Sequence, residues 1–394
     1  MFNALGQFVK SIKITIAFIL LLFVCSSTYA HGTAIDYLEV IVNNTADSIQ
    51  VKRLLSEARV YRFSDYDKAF NTAKRALNIS KQISYEIGEV KSNYELGAIS
   101  IVQGQEENAF TYFDAGLYLS QNINNELLAA TGFYHLSSYF LEINNYHESI
   151  DYLYSALVIY EQLNNSIEIS RCYSLLANIY QNLSNYEQAL IYNFKSLEIK
   201  ESMGNQREAS KILGNIGNIY LLTDKYAEAK KIFTKALELN QVYEDNNGIV
   251  HSLTRLGVVH QKMKNSAVAI QYYEKALPMA RESNLRIDES ILLGNIGSTL
   301  REQNKYNESL DYLFQALIIK KDLNRFGSAA HTCNDICETY LQMNQVEEAK
   351  KFAIQAIVYS ENVNLNQEKY AYILLSECNY RLGDLKGSSN NLLI

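Results

Sequence analysis

The run Gly214-Asn215-Ile216-Gly217-Asn218-Ile219-Tyr220, followed by Tyr226, Ala229, Phe233, Ala236 and Leu237, decides how this 394-residue chain folds. Ala229 belongs to a series of small residues forty positions apart: Ala69, Ala109, Ser149, Ala189, Ala229, Ala269, Ser309, Ala349 and Ser389. Seven positions later comes a second series, Ala76, Gly116, Ala156, Ser196, Ala236, Ala276, Ala316 and Ala356, each followed by leucine or isoleucine. A fixed period of this length marks a solenoid, whose units cannot bury their apolar faces alone and must stack.

Each unit reads as two amphipathic helices joined by a tight turn. In one unit Leu253, Leu256 and Gly257 follow helical spacing, with His260 close behind. The chain breaks at Lys264-Asn265-Ser266. Ala269, Ile270, Tyr273, Ala276 and Leu277 then resume the helical pattern. Gly97, Ser137, Ala177, Gly217, Gly257, Gly297 and Cys337 recur in the first helices, twelve positions before the Ala109-type sites. Glycine costs about 1 kcal/mol inside a helix, so its return there implies a steric demand, met by small faces paired across a seam. Gly214 and Gly217 are both expected to be packing glycines, not a phosphate-cradling loop. Pro278 falls inside a second helix near its end, where a local bend is tolerated.

The order Leu-Gly-x-x-Tyr, then alanine, an aromatic or aliphatic residue, and Ala-Leu resembles the tetratricopeptide repeat over about residues 48–394. The unit here is six residues longer than usual and lacks the closing proline, as in the forty-residue variant of kinesin light chains and cell-polarity adaptors. The resemblance implies an all-α, right-handed superhelical solenoid of eight to nine helix-turn-helix repeats. It also implies that the first helices line a concave groove, and that asparagines there hold the backbone of an extended peptide. The first unit is degenerate, with Glu57 where others carry a small residue, and the last is incomplete, ending Leu392-Leu393-Ile394.

Three stripes run along the first helices. They contain Arg171, Lys211 and His251; Asn215, Arg255 and Asn295; and Asn178 and Asn218. Asparagine inside a helix loses its capping geometry and costs stability, while its amide matches a peptide bond in donor and acceptor. These eight residues are therefore the candidate peptide-binding groove. The competing reading is an ordinary solvated face. The cations Arg171, Lys211, His251 and Arg255 favour an acidic or carboxylate-ended partner.

Residues 1–30 stand apart. Lys10 and Lys13 precede an apolar run from Ile14 to Val24, and small residues lead to Ala30. This is the pattern of a secretory signal, followed by a linker over 31–47, and it predicts export to a bacterial periplasm or cell envelope. An uncleaved membrane anchor is the alternative, and lipidation at Cys25 a minor one because Leu22-Phe23-Val24 lacks the usual small residue. The chain has 36 basic and 43 acidic residues, which gives no electrostatic reason to seek nucleic acid. Cys172, Cys333, Cys337 and Cys378 read as small packing residues rather than staples or metal ligands. No metal site, cofactor site or catalytic constellation is apparent, so an enzyme is not expected. The leading expectation is a protein-interaction module in extracytoplasmic sensing, with a membrane-bound signalling partner. The alternative is an assembly scaffold of the envelope. The apolar last repeat also suggests self-association.

Overall fold

The computed structural model describes residues 47–361 and 363–391. The signal pattern of 1–30, Cys25, nearly all of the 31–47 linker and residues 392–394 lie outside the described residues. Among the described residues the structure is helical throughout, with no strand. A first helix over 47–61 is followed by Tyr66–Gln82, Glu86–Val102 and their successors to Leu385–Asn391. From Tyr66 to Val346 a helix starts every twenty residues, because helices of 17 residues alternate with links of three.

The links explain this constancy. The middle link residue is left-handed each time, as at Asn124 (φ 53°), Asn144 (φ 59°), Asp224 (φ 58°) and Asn304 (φ 61°). Asparagine, the commonest residue there, tolerates this region better than most. Around it the Asn145 N–H bonds the Phe140 carbonyl at 2.8 Å and the Asn144 N–H bonds the Leu141 carbonyl at 3.0 Å. This pair of bonds is the Schellman motif, which satisfies carbonyls left over at a helix end. The third link residue is also the N-cap of the next helix. Asn125, Asn185 and Asn205 use their side chains to hold a backbone N–H of the first turn.

Two helices make a hairpin, and hairpins stack. The described helices fall into two compact units, the first ending at Glu168 and the second beginning at Ile169. Within each unit the first helix of a hairpin packs on its own second helix and on the next hairpin. In the second unit the first helices starting at Gln206, Asn246, Arg286, Phe326 and Leu365 also touch one another in succession. They therefore line the inner side of the stack. This is the all-α stack of helical hairpins expected from the forty-residue period.

The seam is where the sequence places it, with one correction. Ser149 Oγ donates to the Ser137 carbonyl at 2.7 Å, and Ser309 Oγ to the Gly297 carbonyl at 2.7 Å, each across twelve residues. The glycines mainly make room for a different neighbour. A methyl group on Gly217 would stand 2.6 Å from the Phe233 ring, and one on Gly97 2.5 Å from the Phe113 ring. The large residue sixteen positions on, rather than the small one at twelve, demands the glycine. Helix Ser266–Glu282 runs on through Pro278.

Both terminal hairpins slip by one residue. In the helix over 47–61, Glu57 is exposed and Ala58 is fully buried against Ala69 and Ala73. At the other end Ser376 Oγ donates to the Ser388 carbonyl at 2.9 Å, so Ser388, not Ser389, holds the seam. Helix Val346–Ser360 has only 15 residues, and the next helix starts at Leu365, one position earlier than the twenty-residue spacing would put it. The four described cysteines are buried free thiols, and Cys337 and Cys378 share one apolar cluster.

Candidate functional site: an open trough in the second unit

Helix Gln206–Leu222 presents Arg207, Lys211, Gly214, Asn215 and Asn218 along one face, as residues three and four apart must. Helix Asn246–Lys262 faces it with Asn247, Gly248, His251, Ser252 and Arg255. Between them, Phe233, Ala236 and Asn240 of helix Tyr226–Val242 form a floor. These residues enclose a cavity of about 610 Å³ on the inner side of the unit.

The cavity wall carries Arg207, Lys211, His251 and Arg255 together with the carboxylate of Asp245, and these groups are differently engaged. Arg207 lies 3.4 Å from Asp245, Lys211 2.8 Å from Glu208, and His251 Nδ1 3.2 Å from Asp288. Arg255 has no hydrogen bond or ion pair among the described residues. Partial desolvation pulls its guanidinium below the usual arginine range, against the opposing pull of Asp288 and Tyr273. It stays a cation, since arginine does not deprotonate in proteins. Below it Asn240 Nδ2 donates to Ser252 Oγ at 3.1 Å. Asn218 Oδ1 is buried and has no hydrogen-bond partner among the described residues. A buried acceptor left open costs about 1–3 kcal/mol.

Five of the eight residues expected to form the groove line this cavity: Lys211, Asn215, Asn218, His251 and Arg255. Arg171 and Asn178 are exposed on helix Ser166–Asn182, and Asn295 is half-buried on helix Arg286–Glu302; none of the three is on its wall. Sequence reasoning missed Arg207, Asn240, Gly248 and Ser252. Asn240 carried a readable signal, a polar residue at an inward position of a second helix. Gly214 was misread. Unlike Gly217 it has nothing within 4 Å of where a Cβ would stand, so packing does not demand it.

Further along the second unit, Arg301 bridges Asp335 (3.3 Å) and Glu338, and His331 Nδ1 sits 3.1 Å from Asp335. The Asp335 hydrogen bond raises the His331 pKa above the ordinary histidine value. The charges of this stretch are thus largely spent on one another. Among the described residues no group of three or more His, Cys, Asp or Glu side chains is placed to hold a metal ion. Among them too, no helix is long and apolar enough to cross a membrane.

The first unit closes the same region. Tyr94 is 4% exposed and its hydroxyl donates to the Leu128 carbonyl at 2.9 Å. Burial pushes its phenol up to about 12, with the Ser120 hydroxyl pulling the other way. His135 stacks on Phe113 at 5.1 Å and meets the Tyr94 ring at 5.2 Å. Glu95, 3% exposed, is held by Arg59 at 2.9 Å and by Arg62.

Stacked helical hairpins with an inner trough define an α-solenoid binding scaffold. Three tetratricopeptide-repeat family models match the chain, at residues 170–209, 208–282 and 292–324, and with the forty-residue hairpins they identify it as a tetratricopeptide-repeat protein. Among curated proteins no sequence match is found. Solved structures share the fold. The apo quorum sensor NprR from B. thuringiensis is 16% identical, with a TM-score of 0.60 over 86% of this chain and 96% of that one. Aspartyl phosphate phosphatase F from Bacillus subtilis is 17% identical, with a TM-score of 0.59 over 74% and 75%. A Rap protein complexed with competence and sporulation factor is 14% identical, with a TM-score of 0.51 over 85% and 99%.

Proposed function

We propose that the trough between helices Gln206–Leu222 and Asn246–Lys262 binds an extended segment of a partner protein or peptide that carries acidic or carboxylate groups. The observation that carries this reading is the 610 Å³ cavity lined by Lys211, Arg207 and Arg255, with the unsatisfied Asn218 acceptor beside them. Guanidinium and ammonium groups pair with carboxylates, and side-chain amides pair with a peptide backbone. Similar folds include one described as a quorum sensor and one complexed with competence and sporulation factor, which supports a recognition role in sensing. The signal pattern of residues 1–30 supports an exported location for that role, and the reading adds a membrane-bound signalling protein as receiver.

Selection of labelled decapeptides against the full chain tests the trough. Acid-rich sequences should emerge, their affinity should fall as salt rises, and Lys211→Glu with Arg255→Glu should abolish binding. Salt-independent binding that survives both reversals would sink the charge argument. Export is tested by cell fractionation and N-terminal mass analysis, which should show a mature chain beginning at His31. Self-association has separate support in the exposed Leu365, Ile373, Tyr380 and Leu385 of the last hairpin. Sedimentation that shows a monomer at every concentration would remove it.

A further inference from the structure

A second cavity of the second unit lies toward the end of the chain. It measures about 500 Å³ and opens where the start of helix Phe326–Gln342 meets the link before helix Leu365–Arg381. Val363 belongs to that link, 3.3 Å from where a Cβ on Gly327 would stand. Lys320, Arg325 and His331 are on the wall, and no aspartate or glutamate is among the residues that line it. The whole chain carries 43 acidic against 36 basic residues, so a wall of one sign runs against its overall charge.

What these groups have left to offer are donors. Lys320 is 8% exposed, and its ammonium makes one hydrogen bond among the described residues, to Thr332 Oγ1 at 2.7 Å. The Thr332 hydroxyl gives its own proton to the Ser328 carbonyl at 3.2 Å, so it accepts from the lysine. Two of the three ammonium protons are therefore uncommitted. Desolvation pulls the Lys320 pKa below the ordinary lysine value, against the opposing pull of Asp335 and Cys333. A buried charge is stabilised by a counter-charge in contact, and no described carboxylate makes an ion pair with Lys320. The amides are committed at their oxygens. Asn364 Oδ1 accepts from the Gln367 N–H at 3.2 Å, and Gln367 Oε1 accepts from Asn334 Nδ2 at 3.0 Å. Asp335 engages His331 Nδ1 and favours the protonated ring, whose Nε2–H is then a further donor. Arg325 has no side-chain hydrogen bond or ion pair among the described residues. It holds the N-cap place of helix Phe326–Gln342, where it cannot accept, so no side chain caps that helix.

We infer that this cavity binds a small free oxyanion of two or more negative charges, phosphoryl or carboxylate, held by Lys320 and Arg325 at the start of helix Phe326–Gln342. Ammonium and guanidinium groups supply charge-assisted hydrogen bonds, and the helix start adds open N–H groups and its dipole. An oxyanion only accepts, which matches a wall whose uncommitted groups mostly donate. Multiple charge is matched by two cations and a protonated histidine with no carboxylate beside them on the wall. The site is distinct from the trough, since the two cavities have no lining residue in common.

The test titrates the full chain in chloride buffer with inorganic phosphate and, separately, with succinate. Calorimetry reads the affinity, and the assigned His331 ring resonance reads the place. At least one probe should bind saturably and move that resonance, and which one does so tells a phosphoryl ligand from a carboxylate. Lys320→Met and Arg325→Gln should each weaken binding roughly tenfold. Arg325 is exposed, so its variant decides the matter should Lys320→Met fail to fold. Lys211→Glu with Arg255→Glu should leave this binding unchanged. The site is overturned if neither probe binds, if Arg325→Gln binds as the unaltered chain does, or if the trough reversals abolish binding. Loss of peptide binding with phosphate or succinate binding intact would remove the trough reading alone.

Discussion

Tyr94 and Gly214 occupy one position of one repeat, yet the first makes core and the second makes a cavity. Around Tyr94 the inner face is closed by a buried phenol, a stacked histidine and a glutamate clamped by two arginines. Around Gly214 the same kind of hairpin leaves a cavity of about 610 Å³ with Arg207, Lys211 and Arg255 on its wall. The hairpin geometry is shared, so the side chains at equivalent positions, Tyr94 against Gly214 together with Gly116 against Ala236 and Gly132 against Ser252, decide whether the inner face is filled or left open. Local function in such an array is set by what is withheld as much as by what is added.

The comparison can be broken most forcefully from the closed side. Tyr94→Gly should open in the first unit a hole shaped for p-cresol, the tyrosine side chain as a free molecule, at a cost of about 3–5 kcal/mol. Denaturant unfolding reads that loss, and p-cresol should restore part of it by filling the hole. A smaller effect separates two glycines on one helix. Gly217→Leu should cost about 1–3 kcal/mol because Phe233 stands in the way, and an unchanged melting temperature would contradict the seam. The smallest effect has the opposite sign. Gly214→Ala should stabilise the chain by about 0.5–1 kcal/mol, since helix propensity rises and no atom is displaced. Destabilisation there would mean that the space around Gly214 is not free.

Most of the fold was legible because its cause is periodic. Ala69 through Ala349 mark the helix contacts, and a spacing of forty admits few arrangements other than stacked hairpins. What failed did so for reasons of depth. Gly214 and Gly217 look alike in a sequence, but one faces Phe233 and the other faces nothing, and only coordinates separate them. The terminal slips at Ala58 and Ser388 were hidden because a link or helix of altered length moves the contact by one place without erasing the pattern. Of the trough, Lys211, Asn215, Asn218, His251 and Arg255 could be named since they share a face of the first helices. The floor was read only as packing: Phe233 and Ala236 fit the seam pattern, and the one signal that set it apart, polar Asn240 at an inward position of the second helix, went unused.

The shared link residue has a consequence for how this chain can vary. Asn145 closes one helix and caps the next, so between Tyr66 and Ser360 no linker residue stands outside both roles. An inserted amino acid there would have no slack to vanish into and would turn every later helix on its axis. Whole forty-residue blocks can come and go, whereas single-residue changes of spacing are confined to the two ends, where Ala58 and Ser388 already sit out of step.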